Sequence, residues 1–235
     1  MNKQVLILTG TTDEYLFHEN GVKMQEVFDL ALPSKERYAK KYNYDLLTIR
    51  SFKNGNIYGF NKDVDLGFLR VTRAFEMLAH YDLVMWIDAD AIITNDIPIS
   101  DFPIEQKTFC ASYDWAWRQS FSTGNFIIQR TPEYKLLFDL FLQIGSQFSG
   151  RVLQEQETLN YIYRNLNEKN TIKILEHKFL NAVPSFVAET KTWRSDKNRT
   201  QIISPWNEDC FLAHLTGCSN QERVDMLKTT LKQFL

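Results

Sequence analysis

The chain reads as an α/β protein with a mostly parallel central sheet flanked by helices, and three features predict this. Leu83 to Ile87, LVMWI, is an unbroken apolar run of the kind that forms a strand buried on both faces of a parallel sheet. Shorter runs at Val5 to Thr9 and Asp45 to Ile49 bracket a helical pattern, which makes a strand–helix–strand unit. No internal repeat, low-complexity tract or linker divides the 235 residues, so a single domain over 1–235 is expected, large enough to bury a sizeable core.

The first strand ends in Thr9-Gly10-Thr11-Thr12-Asp13, a polar, Gly-containing loop at the sheet edge. Such a loop suits a nucleotide base and ribose, with Thr9 and Thr11 as contacts, or simply turns the chain into a helix. Residues 22 to 44 carry a helical pattern that Pro33-Ser34 should break or restart, since proline fits only a first helical turn. The charges from Lys35 to Lys41 read as a solvated helix face. Ser51 to Asp65 is polar and rich in Gly and Asn, hence loop. Phe68, Val71, Phe75 and Leu78 then recur at helical spacing, predicting an amphipathic helix over Leu66 to His80. Arg70 and Arg73 lie near its start, where they reach a diphosphate or face solvent.

The LVMWI run leads straight into Asp88-Ala89-Asp90. Open α/β sheets bind ligands at their carboxyl edge. Strand alternation sends Asp88 and Asp90 the same way, so both can hold one hard cation. Without a cation the two carboxylates would raise each other's pKa. The plainer alternative is a capping turn, because Asp also opens turns. Thr108 to Tyr113 is a strand, and Ser122-Thr123-Gly124-Asn125 is a small-residue turn before the apolar strand Phe126 to Ile128. Gly124 there lets backbone approach a ligand. Pro132 opens a helix bearing Leu136, Leu137, Leu140 and Phe141. A second begins near Gln154, contains Glu155-Gln156, and should bury Leu159, Ile162, Tyr163 and Leu166. Thr171 to Leu175 is a late strand. Residues 189 to 201 form a basic loop whose cations meet phosphates or stay at the surface. Val224, Leu227, Leu231 and Phe234 mark a final amphipathic helix.

A net charge of −2 gives a nucleic-acid role no electrostatic support. Three cysteines without a CxxC build no disulfide framework, which fits a reducing compartment. The apolar run in MNKQVLILTG is too short for a signal peptide, and no run approaches membrane-spanning length. A soluble, cytoplasmic protein is therefore expected, with the Asn198-Arg199-Thr200 sequon unused. The aromatic share of 14% is core or, in part, platforms for sugar rings.

Taken in order, these pieces resemble the GT-A (Rossmann-like) glycosyltransferases that use nucleotide sugars. The likeness is greatest to the family of fungal α-galactosyl- and mannan mannosyltransferases and plant xyloglucan xylosyltransferases, with the glycogenin-like family second. The residues that carry it are Trp86-Ile87-Asp88-Ala89-Asp90-Ala91 with Thr94-Asn95, Ser122 to Phe126, Glu155-Gln156, and His214-Leu215-Thr216-Gly217-Cys218. The resemblance implies that Asp88, Asp90 and His214 bind Mn²⁺, with Mg²⁺ as the alternative ion. The metal would hold the diphosphate of a UDP- or GDP-linked sugar, with transfer to a glycan or other hydroxyl acceptor and retention of anomeric configuration. The expected donor contacts are Thr9, Thr11, Arg70, Asp88, Ala89, Asp90, Ser122, Thr123, Gly124, Asn125 and Gly217. Glu155 and Gln156 would present polar groups to the reacting sugar. Ser122 stands where relatives commonly have Asn, and Glu155 where many have Asp. Two rival readings are a phosphohydrolase with an aspartyl nucleophile and a carbohydrate-binding protein on a decayed transferase fold. The first wants its Asp-x-Asp after the first strand and followed by Thr or Val, whereas Ala91 follows here.

Overall fold

In the computed structural model, residues 3–11, 22–50, 66–114, 120–148, 153–166, 170–185 and 205–235 are described. They form β1 (Val5–Gly10), α1 (Met24–Tyr42), β2 (Asp45–Ile49), α2 (Leu66–Met77), β3 (Leu83–Ile87), β4 (Ala91–Ile93) and β5 (Phe109–Tyr113). Then come β6 (Phe121–Gln129), α3 (Tyr134–Gly145), α4 (Gln154–Asn165), β7 (Ile172–Leu175), α5 (His177–Leu180), β8 (Leu212–His214) and α6 (Asn220–Lys228). The loops at 51–65 and 189–201, with Thr12, Asp13 and Asn198, lie outside the described residues.

Six strands make one sheet in the order β2-β1-β3-β6-β5-β7. The pairs β1–β2, β1–β3 and β5–β7 are parallel, and β6 alone runs against its neighbours β3 and β5. All five residues of β3 are buried, as its apolar run requires. One face of the sheet packs Leu6, Leu8, Val84 and Trp86 against Phe68, Phe75, Leu137, Phe141 and Leu159 from α2, α3 and α4. The other packs Val5, Ile7, Met85 and Ile87 against Tyr38 and Ala39 of α1. A two-stranded ribbon, β4 with β8, stands apart from the sheet, and Ala91 lies opposite His214 in its antiparallel register.

Several local expectations are corrected. Pro33 does not break the helix: α1 runs unbroken through it. Its inward stripe of Val27, Phe28, Ala31, Ser34, Lys35, Tyr38 and Ala39 binds it to the core on both sides of the proline, and such packing outweighs local propensity. Lys35, read as part of a solvated face, belongs to that stripe and is fully buried. Ser122 to Asn125 is no turn but the first half of β6. Because β6 is reversed, this half comes to the carboxyl edge of β3, where Asn125 lies opposite Ile87. Leu166 falls past the end of α4 and is exposed rather than buried. Leu136 likewise faces out from α3. The final helix stops at Lys228 after opening on a Ser219–Glu222 capping box. Leu231 and Phe234 follow in turns beyond it, with Leu231 buried.

Candidate metal and donor site

Asp88, Ala89 and Asp90 form the turn that joins β3 to β4, closed by Ala91 N–H donating to the Asp88 carbonyl at 3.2 Å. The two carboxylates thus converge through a turn, not through strand alternation. Asn125 holds this turn from β6: its Oδ1 accepts from Asp88 N–H at 2.9 Å, while its Nδ2 donates to the Leu180 carbonyl at 3.0 Å. The ribbon brings in His214, whose Nε2 lies 3.7 Å from Asp88 Oδ2 and 3.5 Å from Asp90 Oδ1. One ligand atom from each of the three residues falls within 4.8 Å of the others.

The orientation of the His214 ring follows from its other nitrogen. Asn181 Nδ2 donates to the Tyr113 carbonyl at 2.9 Å, which turns Asn181 Oδ1 toward His214 Nδ1 at 2.8 Å. Nδ1 therefore donates to Asn181 Oδ1, and Nε2 faces the two carboxylates. The Nε2 distances are too long for hydrogen bonds. Two carboxylates and an imidazole nitrogen facing one point, with the imidazole oriented from behind, suit a divalent cation. Mixed carboxylate and imidazole donors fit Mn²⁺.

Two arginines frame the cluster. Arg70 on α2 donates from Nη1 to Asp88 Oδ1 at 2.7 Å and from Nη2 to Glu155 Oε1 at 2.9 Å, so one guanidinium joins the turn to α4. Trp86 Nε1 also donates to Asp88 Oδ1 at 2.7 Å. Arg223 on α6 sits 2.9 Å from Asp90 Oδ2. Burial pushes the Asp90 carboxyl up, but Arg223, with His214, more than reverses this and holds it well below the usual carboxylate range. Arg73, the other candidate on α2, pairs with Glu76 at the surface.

Glu155 is buried and also accepts from Thr123 Oγ1 at 2.9 Å. Gln156, half-buried beside it, accepts from Thr123 N–H at 3.2 Å and donates to Asp114 Oδ2 at 2.8 Å. Ser122 Oγ accepts from Gly124 N–H at 3.2 Å. Gly124 has a steric reason: a Cβ there would stand 2.6 Å from His214 Cε1 and 2.9 Å from Asp88 Oδ2. Gly67 has another, since its Cβ would overlap the Glu155 carboxylate at 2.2 Å. Thr9 Oγ1 donates to the Ile87 carbonyl at 2.6 Å and Thr11 is buried at the end of β1. Gly217 adopts φ 77° in the turn after β8. A cavity of about 810 Å³ lies at the opposite, amino edge of the sheet, lined by Gln4, Tyr44, Asp45 and Leu83 among others, away from this cluster.

The profile of the galactosyl transferase GMA12/MNN10 family matches residues 99–225, more than half of the chain. The chain belongs to this family. Within this GMA12/MNN10 chain the matched span takes in Ser122 to Asn125, Glu155-Gln156 and His214 to Cys218, while Asp88 and Asp90 lie just ahead of it. Solved structures place the fold as GT-A. LgtC, a galactosyltransferase solved with donor and acceptor sugar analogues, gives a TM-score of 0.60 at 14% identity over 98% of this chain and 100% of that one. A glycosyltransferase involved in glycosylating the major capsid of PBCV-1 gives 0.57 at 13% identity, covering 96% and 98%. The bifunctional glycosyltransferase WbbM gives 0.62 at 12% identity, with all of this chain matching 50% of that one. No curated protein matches the sequence. This GMA12/MNN10 member is thus a glycosyltransferase, and no helix among its described residues is long and apolar enough to cross a membrane.

Sequence reasoning missed Asn181, Arg223 and the Arg70–Glu155 link. Asn181 and Arg223 stand far along the chain from the residues they orient, with no local pattern around them. Arg70 was singled out for a phosphate, not for a buried carboxylate on another helix.

Proposed function

We propose that this glycosyltransferase is metal-dependent and moves a sugar from a UDP- or GDP-linked donor to a glycan or other hydroxyl acceptor, with retention of configuration. The observation that carries the reading is the convergence of one carboxylate oxygen each from Asp88 and Asp90 with Nε2 of His214, all within 4.8 Å of one another. On this reading these residues hold Mn²⁺ or Mg²⁺, and the ion supplies positive charge to the departing diphosphate. Arg70, the Asp88 to Asp90 turn, Ser122 to Asn125 and Gly217 shape the donor pocket around it. Thr9 and Thr11, at the end of β1, serve the nucleoside.

Glu155 and Gln156 divide the remaining work. Glu155 is buried against Arg70, which supports a role in fixing that guanidinium and the field at the sugar. Gln156 is the more exposed of the two and is the group proposed to meet the sugar's reacting face. Retention is supported by family membership, and LgtC, solved with both donor and acceptor analogues, is the structural analogue for a two-substrate site.

A melting-temperature screen tests the reading. A UDP- or GDP-sugar at ~100 times its Kd should add about 2.7 kcal/mol of stability with Mn²⁺ and far less with chelator. Gln156→Ala should keep that shift while slowing transfer on the order of 10²-fold. No shift with any nucleotide sugar would return the chain to the carbohydrate-binding alternative.

A further inference from the structure

The inner face of α1 carries an amine with no hydrogen-bond partner among the described residues. Lys35 is fully buried, and no described residue hydrogen-bonds its Nζ. The Phe28 ring, its centroid 5.5 Å from Nζ, is a poor substitute for water or a counter-ion. Burial pushes the amine down to about 7, and Asp90 and then Asp88 act in the opposite sense, so its field is coupled to the metal cluster.

The strand register shows where Lys35 lies. Val5 and Ile7 of β1 face α1, packing with Tyr38 and Ala39, and alternation puts Thr9 and Thr11 on the same side. As the crossover between parallel β1 and β2, α1 runs back against β1. Moving from Tyr38 toward the helix's amino end therefore moves toward the carboxyl end of β1, and Lys35 is the next residue on that face. The helix is pinned to β4 there, because Ser34 Oγ accepts from Ile93 N–H at 3.3 Å. Thr11 is the first residue past β1, its N–H donating to the Ile49 carbonyl at 2.9 Å. Its Oγ1 is also buried without a partner among the described residues. Two polar groups without partners among the described residues, an amine and a hydroxyl, thus lie on the α1 side of the sheet edge that bears Asp88 and Asp90.

We propose that Lys35 is a donor-binding residue whose ammonium pairs with the diphosphate of the nucleoside diphosphate sugar, with Thr11 Oγ1 contacting a polar atom of the same ligand. This rests on the functional reading above. Charge balance points the same way. Asp88, Asp90 and Glu155 are met by Arg70 and Arg223, leaving one negative charge among these groups. A divalent ion and a doubly charged diphosphate cancel each other, and a protonated Lys35 neutralises what remains. Lysine's flexible four-carbon stem lets the ammonium swing toward a ligand that reaches this side of the edge.

The test is calorimetric titration of UDP and of GDP, each with Mn²⁺, into the wild type, Lys35→Met and Lys35→Gln, with melting curves taken without ligand. Lys35→Met removes a buried amine with no partner among the described residues, so it should melt at or above the wild-type temperature. Both variants should bind the preferred nucleotide about tenfold or more weakly, the scale of one charged hydrogen bond. Wild-type affinity in the folded fraction of either variant, whatever its melting temperature, overturns the assignment of Lys35 alone. A wild type that binds neither nucleotide overturns the functional reading beneath it.

Discussion

Asp88, Asp90 and His214 could be singled out in the sequence because each sits in a short motif, an Asp-x-Asp after an apolar run and a His-x-x-Gly-Cys. What the motifs did not carry is orientation. Asn181 fixes the His214 ring from 33 positions away, and Asn125 fixes the Asp88 turn from 37. Such partners are chosen by the fold, so no spacing rule exposes them. Gly124 lay between these cases: the sequence marked it as a place of close approach, and what approaches it is the Asp88 and His214 side chains. Gly124→Ala would drive a methyl into His214 Cε1 and Asp88 Oδ2. Its Mn²⁺-dependent nucleotide affinity should fall about 10–100-fold, the range for disturbing groups that orient metal ligands. Isothermal titration beside a melting curve checks this, since a large melting loss with unchanged affinity would make the glycine's role purely structural.

Elements were legible where one period dominated. The apolar run of β3 and the stripe of α2 are seen as expected, because burial alone decides them. At α1 two signals competed, and the proline and the charge run obscured a stripe that was present at the right spacing. Phe28, Ala31, Lys35 and Tyr38 all fall on it, and reading Lys35 by its charge rather than its position gave the wrong face. Its burial has a signed consequence for pH. Lys35 is lowered in the folded state from 10.5 to about 7, so between those values the unfolded chain binds more protons and stability should rise with pH. The slope is at most about 1.4 kcal/mol per pH unit, the value for one proton. Urea unfolding between pH 7 and 8.5 should show this slope in the wild type and a flatter one in Lys35→Met. Equal slopes would mean the amine keeps an ordinary pKa. The reversed strand β6 escaped the sequence for another reason. Pairing direction is not written in a strand's composition, and Ser122 to Asn125 looks like a turn when read without its partners β3 and β5.

At the scale of the molecule, the sheet and the ribbon have separate tasks. Parallel β1 and β3 deliver Thr11 and the Asp88 turn to one edge, reversed β6 returns Gly124 and Asn125 to it, and the ribbon brings His214 across from the far end of the chain. A cluster assembled from three such distant segments needs them to fold together, which is the basis for proposing one domain over 1–235. Calorimetric unfolding should then be a single cooperative transition, with calorimetric and van't Hoff enthalpies in agreement, and two resolved transitions would refute it. The ribbon also supplies the most direct test of the metal-dependent reading. His214→Ala removes one ligand while leaving Asp88 and Asp90 with Arg70 and Arg223. Calorimetric titration of UDP or GDP with Mn²⁺ should give binding in the wild type and none within the measurable range in His214→Ala, although the variant stays folded. Equal Mn²⁺-dependent affinity in the two proteins would remove His214 from the site and contradict the account.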